Sequence, residues 1–168
     1  NATFSAIEVD GNTHYFSGLT VNATDAYVDS HFQIGDGVVY VDDSALSGIV
    51  ADSVFKIVAG AGESGTVTVT NVTVDSSNPL VSYDAASLVD VSFFEYVDVN
   101  VTNTSSFMLN DSNVSAFDTF GSLQASALTD GSSLSRLTLL TKFFNSSSNT
   151  SYNNYTINAS KDGFFANW

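Results

Sequence analysis

Apolar and polar residues alternate with a period of two through most of the chain, the signature of strands with one face buried. "GTVTVTNVTVDS" places Val67, Val69, Asn71 and Thr73 on one side and Thr68, Thr70, Val72 and Val74 on the other. The apolar face switches at Asn71, which predicts a bulge or a break between two strands. "LVDVSFFEYVDVNVT" is a long strand-like run, and "GVVYVDDS", "AYVDSHFQIGDG", "NATFSAIEVDG" and "NNYTINAS" read the same way. Clusters of Gly, Asn, Asp and Ser punctuate the runs. "IEVDGNTHYFSG" reads as a hairpin turning at Asp10, Gly11 and Asn12.

Two segments depart from this period. Leu134, Leu137, Leu140 and Phe144 fall at helical spacing behind Ser132 or Ser133 as an N-cap. Phe117, Phe120 and Leu123 do so less cleanly, and "ALSGIVADSVFKIV" fits helix or buried strand. The expected fold is mainly β: one domain over residues 1–168, an antiparallel sandwich of jelly-roll type with one or two short helices in the C-terminal third. The alternative is a parallel β-helix with rungs of about 20–25 residues. The apolar positions align poorly at such a repeat.

Sequons change the picture. Eleven of the fifteen Asn begin an Asn-X-Ser/Thr triplet: Asn1, Asn22, Asn71, Asn100, Asn103, Asn110, Asn113, Asn145, Asn149, Asn154 and Asn158. With Ser and Thr at about a quarter of the residues, chance supplies roughly four. The excess predicts a densely N-glycosylated, extracellular surface. Asn100 and Asn103, like Asn110 and Asn113, are three apart, so a flat strand would aim them at opposite faces. Turns are therefore expected there. Sequons are absent from Ala23 to Thr70, where a buried face or a subunit contact is expected.

Composition narrows the class. Hydrophobic residues make 43% of the chain, enough for a core, and no apolar run reaches membrane-spanning length. Cys is absent, and the first residue is Asn, which fits a mature form whose leader has been removed. Many sequons without Cys resemble the archaeal surface-layer and extracellular-filament glycoproteins, a likeness of composition over the whole chain. Net charge is −14, from eighteen acids and four bases, Lys56, Arg136, Lys142 and Lys161. Nucleic acid and anionic membranes are excluded as partners by that balance.

Chemistry finds few parts. The chain has no Cys, no Gly-X-Ser-X-Gly elbow and no phosphate loop with Lys. His14 and His31 read as strand-edge or surface residues. Carboxylate pairs for glycoside cleavage arise by chance among so many acids, and the expected answer is no enzyme. Acids are fifteen Asp against three Glu. Asp25, Asp29, Asp36, Asp42 and Asp43 crowd one stretch and suggest Ca²⁺, the only cofactor expected beside covalent N-glycans.

These readings converge on a structural subunit of an extracellular microbial assembly: a filament, pilus-like thread, sheath or surface layer. Its partners would be copies of itself, with cell-surface or glycan contacts beside them. A terminal strand, from residues 1–9 or 155–168, would join neighbours by β-augmentation, with Phe4, Ile7, Phe164, Phe165 and Trp168 as anchors. The alternative is a secreted carbohydrate-binding or adhesion module, with Tyr15, Phe16, Tyr27, Phe32 and Tyr40 lining one sheet face.

Overall fold

The computed structural model describes residues 5–23, 28–48, 50, 52–84 and 87–164. The described residues form strands, turns and loops, with no helix. The chain divides into two compact units, residues 1–94 with 141–151, and residues 95–140 with 152–168.

The first unit is a parallel β-solenoid of about three turns. Its first rung is β1 (Ile7–Val9), β2 (Thr13–Ser17) and β3 (Thr20–Ala23). The second is β4 (Ser30–Ile34), β5 (Gly37–Asp42) and β6 (Ala45–Gly48). The third is β7 (Ser53–Ile57), β8 (Ser64–Thr70) and β9 (Thr73–Asp75). A fourth begins with β10 (Val81–Tyr83) and β11 (Leu88–Asn100). Each strand pairs in parallel with its equivalent one rung away, giving three faces: β1-β4-β7-β10, β2-β5-β8-β11 and β3-β6-β9. The stated alternative, a parallel β-helix, is thus the fold of this unit, in place of the jelly roll.

Register explains why the coil is stable. Inward residues stack apolar on apolar: Ile7, Phe32, Phe55 and Val81; Val9, Ile34, Ile57 and Tyr83; Phe16, Val41, Val69 and Phe93; Val21, Leu46 and Val74. Phe16, Phe32, Phe55, Phe93 and Phe144 follow one another through the core with ring centroids 5.2–5.7 Å apart, edge-on except for the stacked pair Phe32 and Phe55.

The corners use residues that tolerate positive φ. Gly18, Asp43 and Asn71 have φ of 66°, 47° and 51° and sit one above another between the second and third faces. Gly18 N donates to Asp42 O, Asp43 N to Thr70 O and Asn71 N to Phe94 O. The face switch at Asn71 is therefore this corner, separating β8 from β9. Asn12 and Gly37 turn the chain between the first and second faces. Asp10, Gly11 and Asn12 join β1 to β2 across that corner, so the expected hairpin is absent: β1 pairs β4 and β2 pairs β5.

The second unit carries an antiparallel sheet, β13-β12-β16, formed by β12 (Asn113–Phe117), β13 (Leu123–Leu128) and β16 (Thr156–Ser160). The long strands β11 and β14 (Leu134–Asn145) belong to the six-stranded sheet and give this unit their residues 95–100 and 134–140, and β15 (Ser148–Ser151) returns on the far end of β14. Val114, Ala116, Leu137 and Leu139 form its core, flanked by Val97, Val99, Ala125, Ala127, Ile157 and Ala159. The expected late helices are strands. Leu134–Asn145 alternates at first, burying Ser135, Leu137 and Leu139. Leu134 is exposed and Leu140 half-buried, so leucines on both faces mimic a helical spacing with Leu137 and Phe144. Phe120 is a turn residue, 92% exposed.

Candidate glycan-bearing and assembly surfaces

All ten sequon asparagines among the described residues reach the surface. Asn22, Asn71, Asn100, Asn110, Asn113, Asn149, Asn154 and Asn158 are exposed, while Asn103 and Asn145 are half-buried. Asn22 points outward from β3, and Asn100 ends β11. Asn103 and Asn145 form side-chain-capped turns. Asn103 Oδ1 accepts from Ser105 N and Phe107 N at 2.9 Å, and Asn145 Oδ1 accepts from Ser147 N and Ser148 N. Those bonds engage the oxygen and leave the amide nitrogen, the atom that takes a sugar, outside the turn.

Two sequon amides are engaged at the nitrogen. Asn71 Nδ2 donates to Asp43 Oδ1 at 2.7 Å, and Asn113 Nδ2 to Ser115 Oγ at 3.2 Å. A turn separates Asn110 from Asn113, where Asp111 takes φ 50°. Asn1 lies outside the described residues. The sequon-free stretch from Ala23 to Thr70 makes the second rung and the third as far as β8, holding the most deeply buried apolar side chains.

The four described carboxylates among those proposed for Ca²⁺ engage separate partners or stand at separate corners. Asp25 lies outside the described residues. Asp29 pairs with Lys56 Nζ at 2.9 Å, Asp36 Oδ1 accepts from Gly11 N at 2.8 Å, and Asp43 accepts from Asn71. Asp42 ends β5. Being close in sequence, they fall at successive corners of one rung and so are spread around it. No group of three or more His, Asp or Glu side chains suited to a metal occurs among the described residues.

Lys56 gathers carboxylates that sequence reading left apart. Its Nζ lies 2.9 Å from Asp29, 3.4 Å from Asp52 and 3.5 Å from Asp84. The hydrogen bond that Lys56 Nζ donates to Asp29 Oδ2 outweighs desolvation and holds the ammonium well above the ordinary lysine range. The signal was rung periodicity, since Asp29, Asp52 and Lys56 are neighbours only once the coil closes. Arg136 grips Asp98 through two bonds of 2.7 and 2.8 Å, which keeps that carboxyl below its usual range. The same guanidinium lies over the Tyr96 ring, 4.8 Å from its centroid.

The histidines divide. His14 sits half-buried on β2, stacked on Phe16, with Nε2 at 3.0 Å from Gly11 O. His31 is fully buried, contrary to the surface reading: its Nε2 reaches Ser47 O at 2.7 Å and its Nδ1 has no protein partner.

Among the expected contact anchors, Ile7 packs on the solenoid core and Phe164 is exposed in a turn closed by Phe164 N to Lys161 O. Phe4, Phe165 and Trp168 lie outside the described residues. The described parts of both proposed donor segments pair within their own sheets, β1 with β4 and β16 with β12. Of the aromatic platform, Phe16 and Phe32 face the core, while Tyr15 and Tyr40 stack face to face on the outer side, centroids 4.7 Å apart and ring planes nearly parallel. Tyr27 lies outside the described residues. Among the described residues, no helix is long and apolar enough to cross a membrane.

No family model, no curated protein and no solved structure matches this chain.

Proposed function

We propose that this chain is a structural, N-glycosylated subunit of an extracellular microbial assembly, a filament, sheath or surface layer built from copies of itself. The observation that carries the reading is the near-threefold excess of sequons, together with the surface position of every described one. An occupied sequon must project into water, and each described one stands where it can. A solenoid core also suits a load-bearing part, because each rung repeats the same hydrogen-bonded cross-section.

The first test is intact-mass analysis of protein from its native source, with electron microscopy of the same material. Several sugar additions and ordered polymers are expected. A mass equal to the bare chain overturns the glycoprotein reading, and dispersed single particles overturn the assembly reading. The stacked pair Tyr15 and Tyr40 favours a second reading, a carbohydrate-binding module, because a flat exposed aromatic surface suits a sugar ring. Glycan-array binding that is lost in Tyr40→Ala would select it.

A further inference from the structure

Phe107 is 69% exposed and belongs to neither apolar core. A lone exposed ring is ordinary on a protein surface, but this one stands opposite a sequon. Thr102 and Met108 form an antiparallel bridge, and Asn103 and Phe107 are the next pair, facing each other across the turn Thr104, Ser105 and Ser106. Asn103 N donates to Phe107 O at 2.9 Å, and Phe107 N returns a bond of 2.9 Å to Asn103 Oδ1. Ser105 N donates to the same oxygen at 2.9 Å, and Ser106 closes the turn with φ 63°. Directly opposed residues of an antiparallel pair share a face, so the Phe107 ring is on the face of the Asn103 amide. Met108, one residue on, leaves from the other face.

The geometry of the linkage decides where a sugar on Asn103 would go. Attached at Nδ2, it makes a secondary amide, which is planar and trans. The first ring carbon then lies on the same side of the amide C–N bond as Oδ1. That oxygen is held by Phe107 N, so the sugar begins on the flank where Phe107 stands. A pyranose with equatorial hydroxyls turns C–H groups to its two faces, and the face of a phenyl ring is the negative side of its quadrupole. The two surfaces are complementary. Asn145, the other sequon asparagine whose oxygen caps a turn, faces Ser148 and meets no ring there.

We infer that Phe107 is the seat of the sugar on Asn103: the first pyranose ring lies on the phenyl face and is held there as part of the fold. This rests on the glycoprotein reading and gives one of its sites a packing role. Sugar and ring are covalently tied to the two sides of one short turn, so the contact forms without the entropic cost of bringing separate molecules together. The occupant of the exposed ring is thereby a group the chain itself carries.

Ser105→Ala removes the hydroxyl that the sequon requires and keeps the backbone N–H that bonds Asn103 Oδ1, so the sugar is lost and the turn is kept. Glycopeptide mass spectrometry of the native protein should find a sugar on Asn103. The full chain, secreted from a host that glycosylates such asparagines, should melt about 2–4 °C above its Ser105→Ala variant, the shift that one aromatic contact gives at this length. In a Phe107→Ser background the same change should shift melting by less than about 1 °C, while a Met108→Ser background should keep the full difference. Proton NMR of the glycosylated chain should show ring protons of the Asn103 sugar displaced upfield by the phenyl ring, and Phe107→Ser should abolish the displacement. A sugar on Asn103 without that displacement overturns the inference, and so does a Ser105→Ala loss that survives Phe107→Ser in full. Either result leaves the glycoprotein reading standing, as does a bare Asn103 beside occupied sequons, which also removes this seat. A chain bare at every sequon removes both.

Discussion

Lys56 shows how much one base carries in a chain this acidic. It is only 16% exposed and stands among Asp29, Asp52 and Asp84. Lys56→Met would leave three carboxylates facing each other without a cation. An unpaired buried charge costs several kcal/mol, but Asp52 and Asp84 are 36% and 50% exposed and solvent screens them. The expected loss is about 2 kcal/mol, a melting temperature lower by about 4–8 °C for a chain of this size. Adding Asp29→Asn should restore part of it in a thermal-melt series.

The same group gives the protein an alkaline limit. The folded pKa of Lys56 is raised, so its contribution is complete below the ordinary lysine value, about 10.4, and is lost as pH rises through the folded one. Tyr83 acts in the same direction. Burial first, then the charge of Asp90, pushes its phenol up, and its hydroxyl donates to Val89 O at 3.2 Å. Stability should hold from neutral pH to about pH 10 and fall above it. Denaturant midpoints across that range would check it, and Tyr83→Phe should make the alkaline decline shallower.

At the scale of elements, the corners decide whether strands stack. Gly37 has φ 96°, and a Cβ there would lie 2.5 Å from Asn12 O, a backbone atom that cannot swing away. Gly37→Ala should therefore cost about 3 kcal/mol, from the strained φ together with the displaced rung below. Gly62 also has positive φ, 84°, but open space around its Cα. Gly62→Ala should cost only about 1 kcal/mol, and the two chemical-denaturation curves separate steric stacking from φ preference.

The strands were legible in the sequence and the coil was not. Period-two alternation marked β5, β8 and β11 because each buries one face, and the face switch at Asn71 marked a real corner. The rung repeat was hidden because its spacing varies. Phe32 pairs Phe55, but Gly37 pairs Gly65, the third rung having a longer corner, Val58–Glu63, between its first two strands. Inward columns keep apolar character without repeating a residue, Ile7 standing below Phe32, and His14 stands below Val39. The helix reading of Leu134–Asn145 failed because the strand carries leucines on both faces, Leu134 exposed and Leu137 buried, so its apolar residues fall three and four apart. The sequons were legible as a count. That Asn103 and Asn145 would free their amide nitrogens through turns was not, since it depends on backbone geometry.

For the molecule as a whole, the solenoid's size follows from one place where a turn is missing. The corner column runs Gly18, Asp43, Asn71, and the next position in register is Glu95, following Phe94 opposite Thr70. Glu95 lies inside the unbroken strand β11, so the chain leaves the coil there. Length is thus written in the number of corners that precede the exit, as a tally of interchangeable steps. A second copy of residues 32–54 inserted before Phe55 begins and ends in register, because Phe32 already stacks on Phe55. Such a chain should fold with one added step of about 4.8 Å, keep cooperative melting, and gain strand signal in circular dichroism. Loss of cooperativity would mean that the rungs are not interchangeable. If they are, a lineage could lengthen or shorten this protein by copying a short stretch of its gene, leaving both ends and everything they bind unaltered.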